Sequence, residues 1–405
     1  MAVVVQKYGG TSVADLPRIQ QVARRLVAAH RAGHQVVAVV SAMGDATDDL
    51  IEMARRLSER PSERELDVLL ATGEQVSSAL LALAVNALGC PAVSLTGPQG
   101  GIYTDGWHTR ARIVQVDPVR VREELAAGKV VVVCGFQGLG PDNEITTLGR
   151  GGSDATAVAL AAALAAPVCE IYTDVEGVFT ADPRVVPHAR KLSAISYQEM
   201  MELAYLGARV LQARSVEMAM QHRVVIHLRS TFSEAEGTWV KEVPVVENTR
   251  PVVGVAHDPD VARITVLGVP DRPGVAYRLF GALGEAGINV DMIVQSTRHE
   301  EVTDMLFTVS RSDLWKAMEI VQVAARELGA GGCVYDAGVA KVSIVGAGMA
   351  THPGVAAKMF SALARNGINI QVISTSEIKV SCLVDAADLE RAVAAVHDEF
   401  ELGLA

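Results

Sequence analysis

The chain has 405 residues, more than one hydrophobic core usually accommodates, so two or three domains are expected. Half of its residues are hydrophobic and only 4% are aromatic, which is typical of α/β layers. Its net charge of −11 argues against non-specific binding to nucleic acid or acidic membranes, so anionic substrates would need local cationic pockets.

Predicted strands and helices alternate along the first half of the chain. A strand at 2–6 leads into the loop Lys7–Ser12, and Asp15 is the predicted N-cap of a helix that runs to about residue 31. A strand at 35–40 leads into a loop that starts at Ser41. Further strands are predicted at 91–95, 129–134, 168–172 and 223–228, and helices at 46–60, 62–88, 117–127, 154–165, 196–205 and 207–221. The alternation predicts a mainly parallel sheet between helices, with ligands bound beyond the carboxyl ends of the strands.

The loop Gly149–Asp154 separates a predicted buried strand from an Ala-rich helix, for which Ser153 or Asp154 is the predicted cap. Three glycines around one arginine let backbone N–H groups approach an anion. An ordinary strand-to-helix turn is the alternative, because glycine turns are common. Arg150 and Asp154 favour an anion site, since a plain turn needs neither charge.

Lys7, with Gly9 and Gly10 between a strand and a helix, is a second candidate phosphate contact. The alternative is a solvated lysine at a strand end. The chain lacks the P-loop spacing and a complete dinucleotide-binding glycine motif, which disfavours a nicotinamide-dependent dehydrogenase.

Two further stretches allow both a functional and a structural interpretation. Glu74 interrupts an apolar helical run, so it could bind an amino group or face solvent. The stretch Tyr172–Arg184 mixes turn formers with acids and an arginine. It could hold a nucleotide, with Arg184 near the phosphates, or form a long surface loop.

The C-terminal part contains an internal repeat at an offset of 80 residues. Pro273-Gly274-Val275-Ala276 recurs as Pro353-Gly354-Val355-Ala356, and Gly287-Ile288-Asn289 recurs as Gly367-Ile368-Asn369. Each copy begins with a predicted strand, and the Pro-Gly turn opens a helix. The repeat predicts two small βαββαβ units, which would bury their sheet faces best by pairing.

Cysteine, histidine and hydropathy patterns indicate a cytoplasmic globular enzyme. The five cysteines are scattered without a Cys-x-x-Cys pair, so neither a disulfide framework nor a zinc site is indicated. The histidines form no pattern that supports a hydrolase, and no metal ligand is assigned to a protein side chain. No uninterrupted apolar run is long enough to span a membrane, and no targeting segment is indicated at the N-terminus.

Several of these motifs closely resemble those of the aspartate kinases in the amino acid kinase superfamily. They are Lys7-Tyr8-Gly9-Gly10-Thr11-Ser12, Val40-Ser41-Ala42-Met43, Gly135-Phe136-Gln137-Gly138, Thr147 to Asp154, and Thr173-Asp174-Val175-Glu176-Gly177-Val178. The resemblance covers essentially the whole chain and implies an amino acid kinase fold followed by two ferredoxin-like ACT domains. It implies a kinase domain at 1–245, a linker and first regulatory strand at 246–262, and ACT domains at 263–338 and 339–405.

The reaction that the resemblance implies is phosphoryl transfer from ATP, with magnesium, to the side-chain carboxylate of L-aspartate. This is the first step of the diaminopimelate pathway to lysine and of threonine and methionine biosynthesis. Lys7 and Asp154 would be catalytic. Aspartate would contact Thr47, Glu74, Arg150, Gly151, Gly152 and Ser153, with Glu74 on its α-amino group and Arg150 on its α-carboxylate. ATP would contact Lys7, Tyr8, Gly9, Gly10, Ser41, Thr173, Asp174, Phe179, Asp182, Arg184 and Arg209. Relatives usually carry lysine where this chain has Arg209, and guanidinium geometry differs from that of an ammonium.

The ACT repeats imply allosteric feedback inhibition by lysine, threonine or both. The implied threonine contacts are Asp271, Gly274, Ala276, Asn289, Gln295, Asn369 and Ile370. The implied lysine contacts are Asp291, Met349, His352, Gly354, Ser376 and Glu377. The partners implied are a second copy of the chain or a separate small ACT-only subunit in a heterotetramer.

The sequence is also compatible with two other functions. The first is another amino acid kinase with a different carboxylate acceptor. The second is a non-catalytic amino-acid sensor in which only the ACT pair works, although Lys7, Arg150 and Asp154 argue against it.

Overall fold

The computed structural model describes residues 2–208, 210–243, 250–297 and 302–404. They divide into two units by their contacts. The first unit comprises residues 1–178, 191–205 and 209–244, and the second comprises residues 179–190, 206–208 and 245–405.

The helices of the described residues are, in chain order, α1 (Leu16–Arg31), α2 (Ala46–Leu57), α3 (Glu63–Ala87), α4 (Val119–Ala126), α5 (Gly152–Leu164), α6 (Tyr197–Tyr205), α7 (Ala213–His222), α8 (Val275–Glu285), α9 (Leu314–Leu328), α10 (Val355–Arg365) and α11 (Leu389–Glu399). The strands of the first unit are β1 (Val3–Tyr8), β2 (Gln35–Val40), β3 (Ala92–Leu95), β4 (Ile102–Thr104), β5 (Ile113–Val116), β6 (Val130–Cys134), β7 (Gln137–Leu139), β8 (Ile145–Thr147), β9 (Val168–Thr173), β10 (Ala194–Ile195), β11 (Val225–Ser230) and β12 (Thr238–Val240). Those of the second unit are β13 (Gly254–Asp258), β14 (Val261–Pro270), β15 (Asp291–Thr297), β16 (Val302–Ser310), β17 (Gly332–Asp336), β18 (Val339–Val345), β19 (Val372–Thr375) and β20 (Lys379–Asp385).

The main sheet of the first unit has the strand order β10-β12-β11-β9-β1-β2-β6-β3. Its neighbours are parallel except for β11 and β12, which are antiparallel. Because β1, β2, β6 and β9 run in one direction, the loops after Tyr8, Val40, Cys134 and Thr173 share one edge of the sheet. The prediction of a mainly parallel sheet is confirmed.

A second, four-stranded sheet in the order β5-β4-β7-β8 was not predicted from the sequence. Its strands are only three or four residues long, which is too short for a clear alternation of apolar and polar residues. Strand β8 of this sheet leads directly into the Gly149 loop, so the sheet fixes where that loop starts.

Helix α5 begins earlier than predicted. The sequence suggested Ser153 or Asp154 as the cap, but the N-cap is Gly151, with φ +71°, and no side chain caps the helix. Glycine adopts the left-handed conformation of Gly151 without a steric cost, so the helix can start at the next residue, Gly152. The predicted cap was therefore wrong, and the side chains of Ser153 and Asp154 in the first turn are free to contact other elements.

Helix α3 is the one helix of the described residues that could cross a membrane by length and composition alone. Half of its most apolar stretch is buried inside the protein, and it packs on α1, β3 and β6. These contacts are those of a core helix.

The second unit contains the predicted repeat, with one difference in connectivity. The first copy is β14-α8-β15-β16-α9-β17, with the sheet order β15-β16-β14-β17. The second copy runs β18-α10-β19-β20-α11, and the fourth strand of its sheet is β13, in the order β13-β18-β20-β19. The edge position beside β18, which corresponds to that of β17 beside β14 in the first copy, is filled by a strand that precedes the first copy.

Candidate active site

Lys7 and Asp154 form the centre of the candidate site. Lys7 lies near the end of β1 and Asp154 in the first turn of α5, and Lys7 Nζ is 2.5 Å from the Asp154 carboxylate. Both side chains are largely buried, with 12% and 9% of their surfaces exposed. The ion pair holds one ammonium at the N-terminal end of a helix, where backbone N–H groups already favour an anion.

The glycines after β1 let its loop pack closely on the loop after β2. A Cβ atom on Gly10 would lie 3.0 Å from the Gly44 carbonyl oxygen and 3.1 Å from that of Ala42. The Gly44 N–H donates to the Gly10 carbonyl at 3.1 Å, and the Ser41 N–H donates to the Tyr8 carbonyl at 3.1 Å. The loop after β1, which is predicted to contact phosphate, and the loop that starts at Ser41 are therefore held together by their backbones.

Ser41 and Ser153 connect this pair of loops to α5. The Ser41 hydroxyl donates to Ser153 Oγ at 3.0 Å, and the Ser77 hydroxyl on α3 donates to the Ser41 carbonyl at 2.8 Å. A Cβ atom on Gly135, just after β6, would lie 2.7 Å from Ser153 Cβ. Glycine at position 135 thus allows α5 to approach the carboxyl edge of the sheet.

Glu74 is buried on α3 with one carboxylate oxygen unpaired. The residue is 3% exposed, and Oε1 accepts the Ala42 N–H at 3.0 Å, while Oε2 has no hydrogen-bond partner among the described residues. Burial raises the pKa of Glu74 to about 8. The solvated-face interpretation is excluded, and an unpaired buried carboxylate is suited to binding a cation.

Arg150 lies between two glycines in left-handed conformation, Gly149 at φ +72° and Gly151 at φ +71°. Its side chain is exposed and forms no hydrogen bond or ion pair with the described residues. The Arg150 guanidinium is therefore available for an anionic ligand. Thr47, in the first turn of α2, has no hydrogen bond to the Lys7–Asp154 pair within the described part of the chain.

The turn around Arg150 is supported by Arg214 on α7 and by Gln212, the residue before α7. Neither was predicted from the sequence. Arg214 donates to the carbonyls of Leu148 at 3.2 Å and Ala111 at 2.9 Å. A Cβ atom on Gly151 would lie 1.8 Å from Gln212 Cγ, so the turn packs directly against the residue before α7.

Asp67 was also missed, and it connects α3 to the strand that precedes the glycine loop. It is fully buried and accepts from the Thr109 N–H at 3.0 Å, from the Thr147 hydroxyl at 2.5 Å, and contacts His108 Nδ1 at 2.7 Å. Asp67 lies seven residues before Glu74, hence on the same helix face. That spacing of two carboxylates in an apolar helix was a signal available in the sequence.

Tyr8 is completely buried and stacks on Tyr172 with ring centroids 4.9 Å apart. Burial raises its pKa, and the hydroxyl donates to Gln6 Oε1 at 3.1 Å. Its side chain is therefore not available to the predicted nucleotide. At the end of β9, the Thr173 hydroxyl donates to the Asp174 carboxylate at 3.0 Å.

The remaining predicted nucleotide residues lie outside the first unit or outside the described residues. Phe179, Asp182 and Arg184 belong to the second unit, where Arg184 Nη2 is 2.7 Å from Asp182 Oδ2 and lowers the pKa of Asp182. Arg209 lies outside the described residues. Their nucleotide roles stay predictions.

The predicted effector residues lie at equivalent places in the two repeats. Gly274 and Gly354 precede α8 and α10 with φ +93° and +92°. The other predicted contacts lie on the adjoining loops and strands: Asp271 and Ala276 near the start of α8, Asn289, Asp291 and Gln295 at β15, Met349 and His352 before α10, and Asn369, Ile370, Ser376 and Glu377 around β19.

Two of these positions have a further feature, a cavity just before α10 and an ion pair at the start of β15. His352 and Gly354 line a cavity of about 320 Å³, together with Arg250, Lys358 and Glu401. Asp291, in contrast, pairs with the buried Lys341 at 2.7 Å between the two repeats.

Comparisons with known proteins agree with this architecture. A model of the amino acid kinase family matches residues 2–230, and ACT domain models match residues 263–325 and 342–400. An aspartokinase of Mycolicibacterium smegmatis is 50% identical over 100% of this chain and 97% of its own length. An aspartate kinase of Stutzerimonas stutzeri strain A1501 is 51% identical over 99% and 98%.

Solved structures give the same assignment. Escherichia coli aspartokinase III in complex with aspartate and ADP has a TM-score of 0.82 at 26% identity, over 98% of this chain and 99% of that one. Its complex with lysine and aspartate has a TM-score of 0.76 at the same identity. The chain therefore belongs to the amino acid kinase family and is an aspartate kinase, a phosphotransferase with two C-terminal ACT domains.

Proposed function

We propose that this kinase transfers the γ-phosphoryl group of ATP to the side-chain carboxylate of L-aspartate, giving ADP and 4-phospho-L-aspartate. An aspartate carboxylate is ionised near neutral pH, with a pKa of roughly 4, so the acceptor needs no general base. The difficulty is to bring two anions together and to neutralise charge on the moving group.

The proposed phosphate contacts are the loops at the carboxyl edge of the main sheet. Lys7 supplies an ammonium, Gly9 and Gly10 supply backbone N–H groups, and the first turn of α5 supplies the positive end of a helix dipole. Asp154 orients the Lys7 ammonium at 2.5 Å. Ser41 and Ser153 hold the loops in register. These groups are in place before the reaction, which is the condition for electrostatic stabilisation of a transition state.

The observation that carries the proposal is the unpaired Oε2 of Glu74. The α-ammonium group of aspartate would pair with Oε2 of this buried carboxylate. The exposed guanidinium of Arg150 can bind the α-carboxylate through two parallel hydrogen bonds. With the α-ammonium and α-carboxylate groups of the amino acid held, the side-chain carboxylate is left to face the phosphate. Thr47, Gly151, Gly152 and Ser153 complete the proposed aspartate contacts.

Magnesium-bound ATP is the proposed phosphoryl donor. The N–H groups of the glycine loops and the Lys7 ammonium suit phosphate oxygens, and a magnesium ion with ATP is usually held largely by those phosphates and water. Bound magnesium would neutralise charge on the phosphates. The nucleotide contacts proposed beyond the phosphate loops are Thr173, Asp174, Phe179, Asp182, Arg184 and Arg209.

We further propose that lysine, threonine or both inhibit the enzyme through the ACT pair and that it acts in the cytoplasm at the first step towards lysine, threonine and methionine. Pairing with a second copy or with a small ACT-only subunit is part of the same proposal. The solved complex of aspartokinase III with lysine and aspartate shows that a relative binds both ligands.

The test is a hydroxamate assay with ATP, magnesium and individual amino acids. Aspartate should give aspartyl hydroxamate in proportion to the ADP released, and Lys7→Ala should abolish both products. Turnover with glutamate but not with aspartate would overturn the proposed substrate. A Lys7→Ala variant with wild-type turnover would overturn the proposed site.

A further inference from the structure

A cluster of metal-ligating side chains lies in the second unit, outside the aspartate and ATP sites. His188, His397 and Asp398 each offer one ligand atom, and these atoms lie within 4.8 Å of one another. His188 comes from the segment 179–190, and the other two come from the end of α11. His188 Nε2 is 2.7 Å from Asp398 Oδ1, and His397 Nδ1 is 3.7 Å from the same oxygen.

The buried member of the cluster has an unpaired nitrogen that faces the other two residues. His397 is fully buried, and its Nδ1 has no hydrogen-bond partner among the described residues. Its other nitrogen, Nε2, is 2.9 Å from the Thr180 hydroxyl, which also accepts the Arg190 N–H at 2.9 Å. When Nε2 donates to that hydroxyl oxygen, Nδ1 presents its lone pair to the cluster. Metal-binding histidines are commonly oriented in this way by a hydrogen bond from the second ring nitrogen.

The C-terminal tail lies against the two rings. A Cβ atom on Gly403 would lie 2.8 Å from His188 Cδ2 and 3.5 Å from His397 Cε1, so the tail backbone packs against both rings. The rings meet edge to face with centroids 5.1 Å apart. The side chains of His188 and Asp398 are 58% and 61% exposed, so they can rotate by the small amount that a common ligand distance requires.

We propose that His188, His397 and Asp398 form a binding site for a divalent transition-metal ion of the zinc class. A ligand set of two imidazoles and one carboxylate binds such ions in preference to magnesium or calcium. Zinc–ligand distances are about 2.0–2.2 Å. Water would fill the remaining position. The ion crosslinks residues 210 positions apart in the chain, namely His188 in the segment 179–190 and Asp398 at the end of the second repeat. Its effect is to stabilise the packing of that segment on the second repeat.

The test uses the full-length protein, freed of any affinity tag and treated with a chelator, in equilibrium dialysis against Zn²⁺. We expect one saturable equivalent per chain, with millimolar magnesium unable to compete. His188→Ala and Asp398→Asn, which change exposed side chains, should each raise the Kd for zinc at least tenfold. Thr180→Val should raise it by roughly tenfold, as is usual for a lost second-sphere hydrogen bond. His222→Ala, which removes an exposed histidine from α7, is the matched control and should bind as the wild type does.

Cobalt distinguishes this site from binding at a thiol. The partly exposed Cys333 is the described cysteine most accessible to an added metal. Co²⁺ at the proposed site should show d–d absorption without the near-ultraviolet thiolate-to-cobalt band, and zinc should raise the Tm of the wild type but not of His188→Ala. An unchanged Kd in both His188→Ala and Asp398→Asn, a thiolate band, or no saturable binding would overturn the proposal and leave an ordinary hydrogen bond between His188 and Asp398.

Discussion

Replacing Glu74 with glutamine should make the kinase more stable and less able to bind aspartate. Glutamine preserves the shape of the side chain and can still accept the Ala42 N–H, but it carries no charge. Burial raises the pKa of Glu74 from an ordinary value of 4.5 to about 8. The folded protein therefore binds more protons at this site than the unfolded chain between these two pH values, so its stability falls as the pH rises through that window.

The size of the effect follows from the same two pKa values. Ionising Glu74 in the folded state at pH above 8 costs about 5 kcal/mol as an upper estimate. Glu74→Gln should therefore raise the free energy of unfolding by several kcal/mol at pH 8.5 and change it little below pH 5. Urea unfolding at the two pH values, without aspartate, measures this difference. Glu63→Gln on the exposed face of α3 is the matched control and should show no pH-dependent gain.

The same substitution should weaken aspartate binding. Loss of a hydrogen bond to a charged group at about 2 kcal/mol would raise the KM for aspartate roughly thirtyfold, with the KM for ATP nearly unchanged. Wild-type kcat/KM for aspartate should rise with pH through about 8 and level off above it, because the ionised form of Glu74 binds the ammonium. Glu74→Gln should lose this dependence. A variant with wild-type stability at both pH values and an unchanged kcat/KM profile would refute the reasoning.

Three further predictions concern the loop Gly149–Asp154 and the ACT pair. Arg150→Ala should raise the KM for aspartate at least tenfold more than that for ATP, and equal increases would contradict its assigned role. Gln295→Ala should relieve inhibition by lysine or threonine in steady-state assays while leaving uninhibited turnover nearly intact; inhibition of wild-type strength would exclude Gln295 as an effector contact. Gly151→Ala should lower the Tm because the new Cβ would lie 1.8 Å from Gln212 Cγ at φ +71°. Adding Gln212→Ala should restore part of the loss and leave about 1–2 kcal/mol of backbone strain, and no partial rescue would argue against the steric cause.

The sequence was sufficient for the order of the main elements and for bringing the candidate site residues to one edge of the sheet. Long apolar runs such as β6 and glycine-rich loops such as Gly149–Asp154 report local preferences, which a sequence expresses directly. Lys7 and Asp154 were both singled out in this way, and the structure brings them to 2.5 Å.

What the sequence did not reveal depends on pairing between distant segments. The three-residue strands β4, β7 and β8 have too few residues for a periodic pattern, so the small sheet was not predicted. The close approach of Gln212 to Gly151, the N-cap of α5, involves two distant segments, so no local pattern shows it. The spacing of Asp67 and Glu74 indicates a shared helix face, but it does not show the three partners of Asp67, which come from the loop at His108 and from β8, far along the chain.

The position of β13 limits how the regulatory part can be cut or exchanged. Because β13 forms the edge of the second ACT sheet but precedes the first ACT repeat, the second ACT domain is discontinuous in the chain. A fragment that begins at β18 would lack its edge strand and expose the unpaired backbone of β18, which invites aggregation. A fragment that begins before Gly254 would contain all the strands of both ACT sheets. During synthesis, β13 also leaves the ribosome a whole domain earlier than the strand with which it pairs.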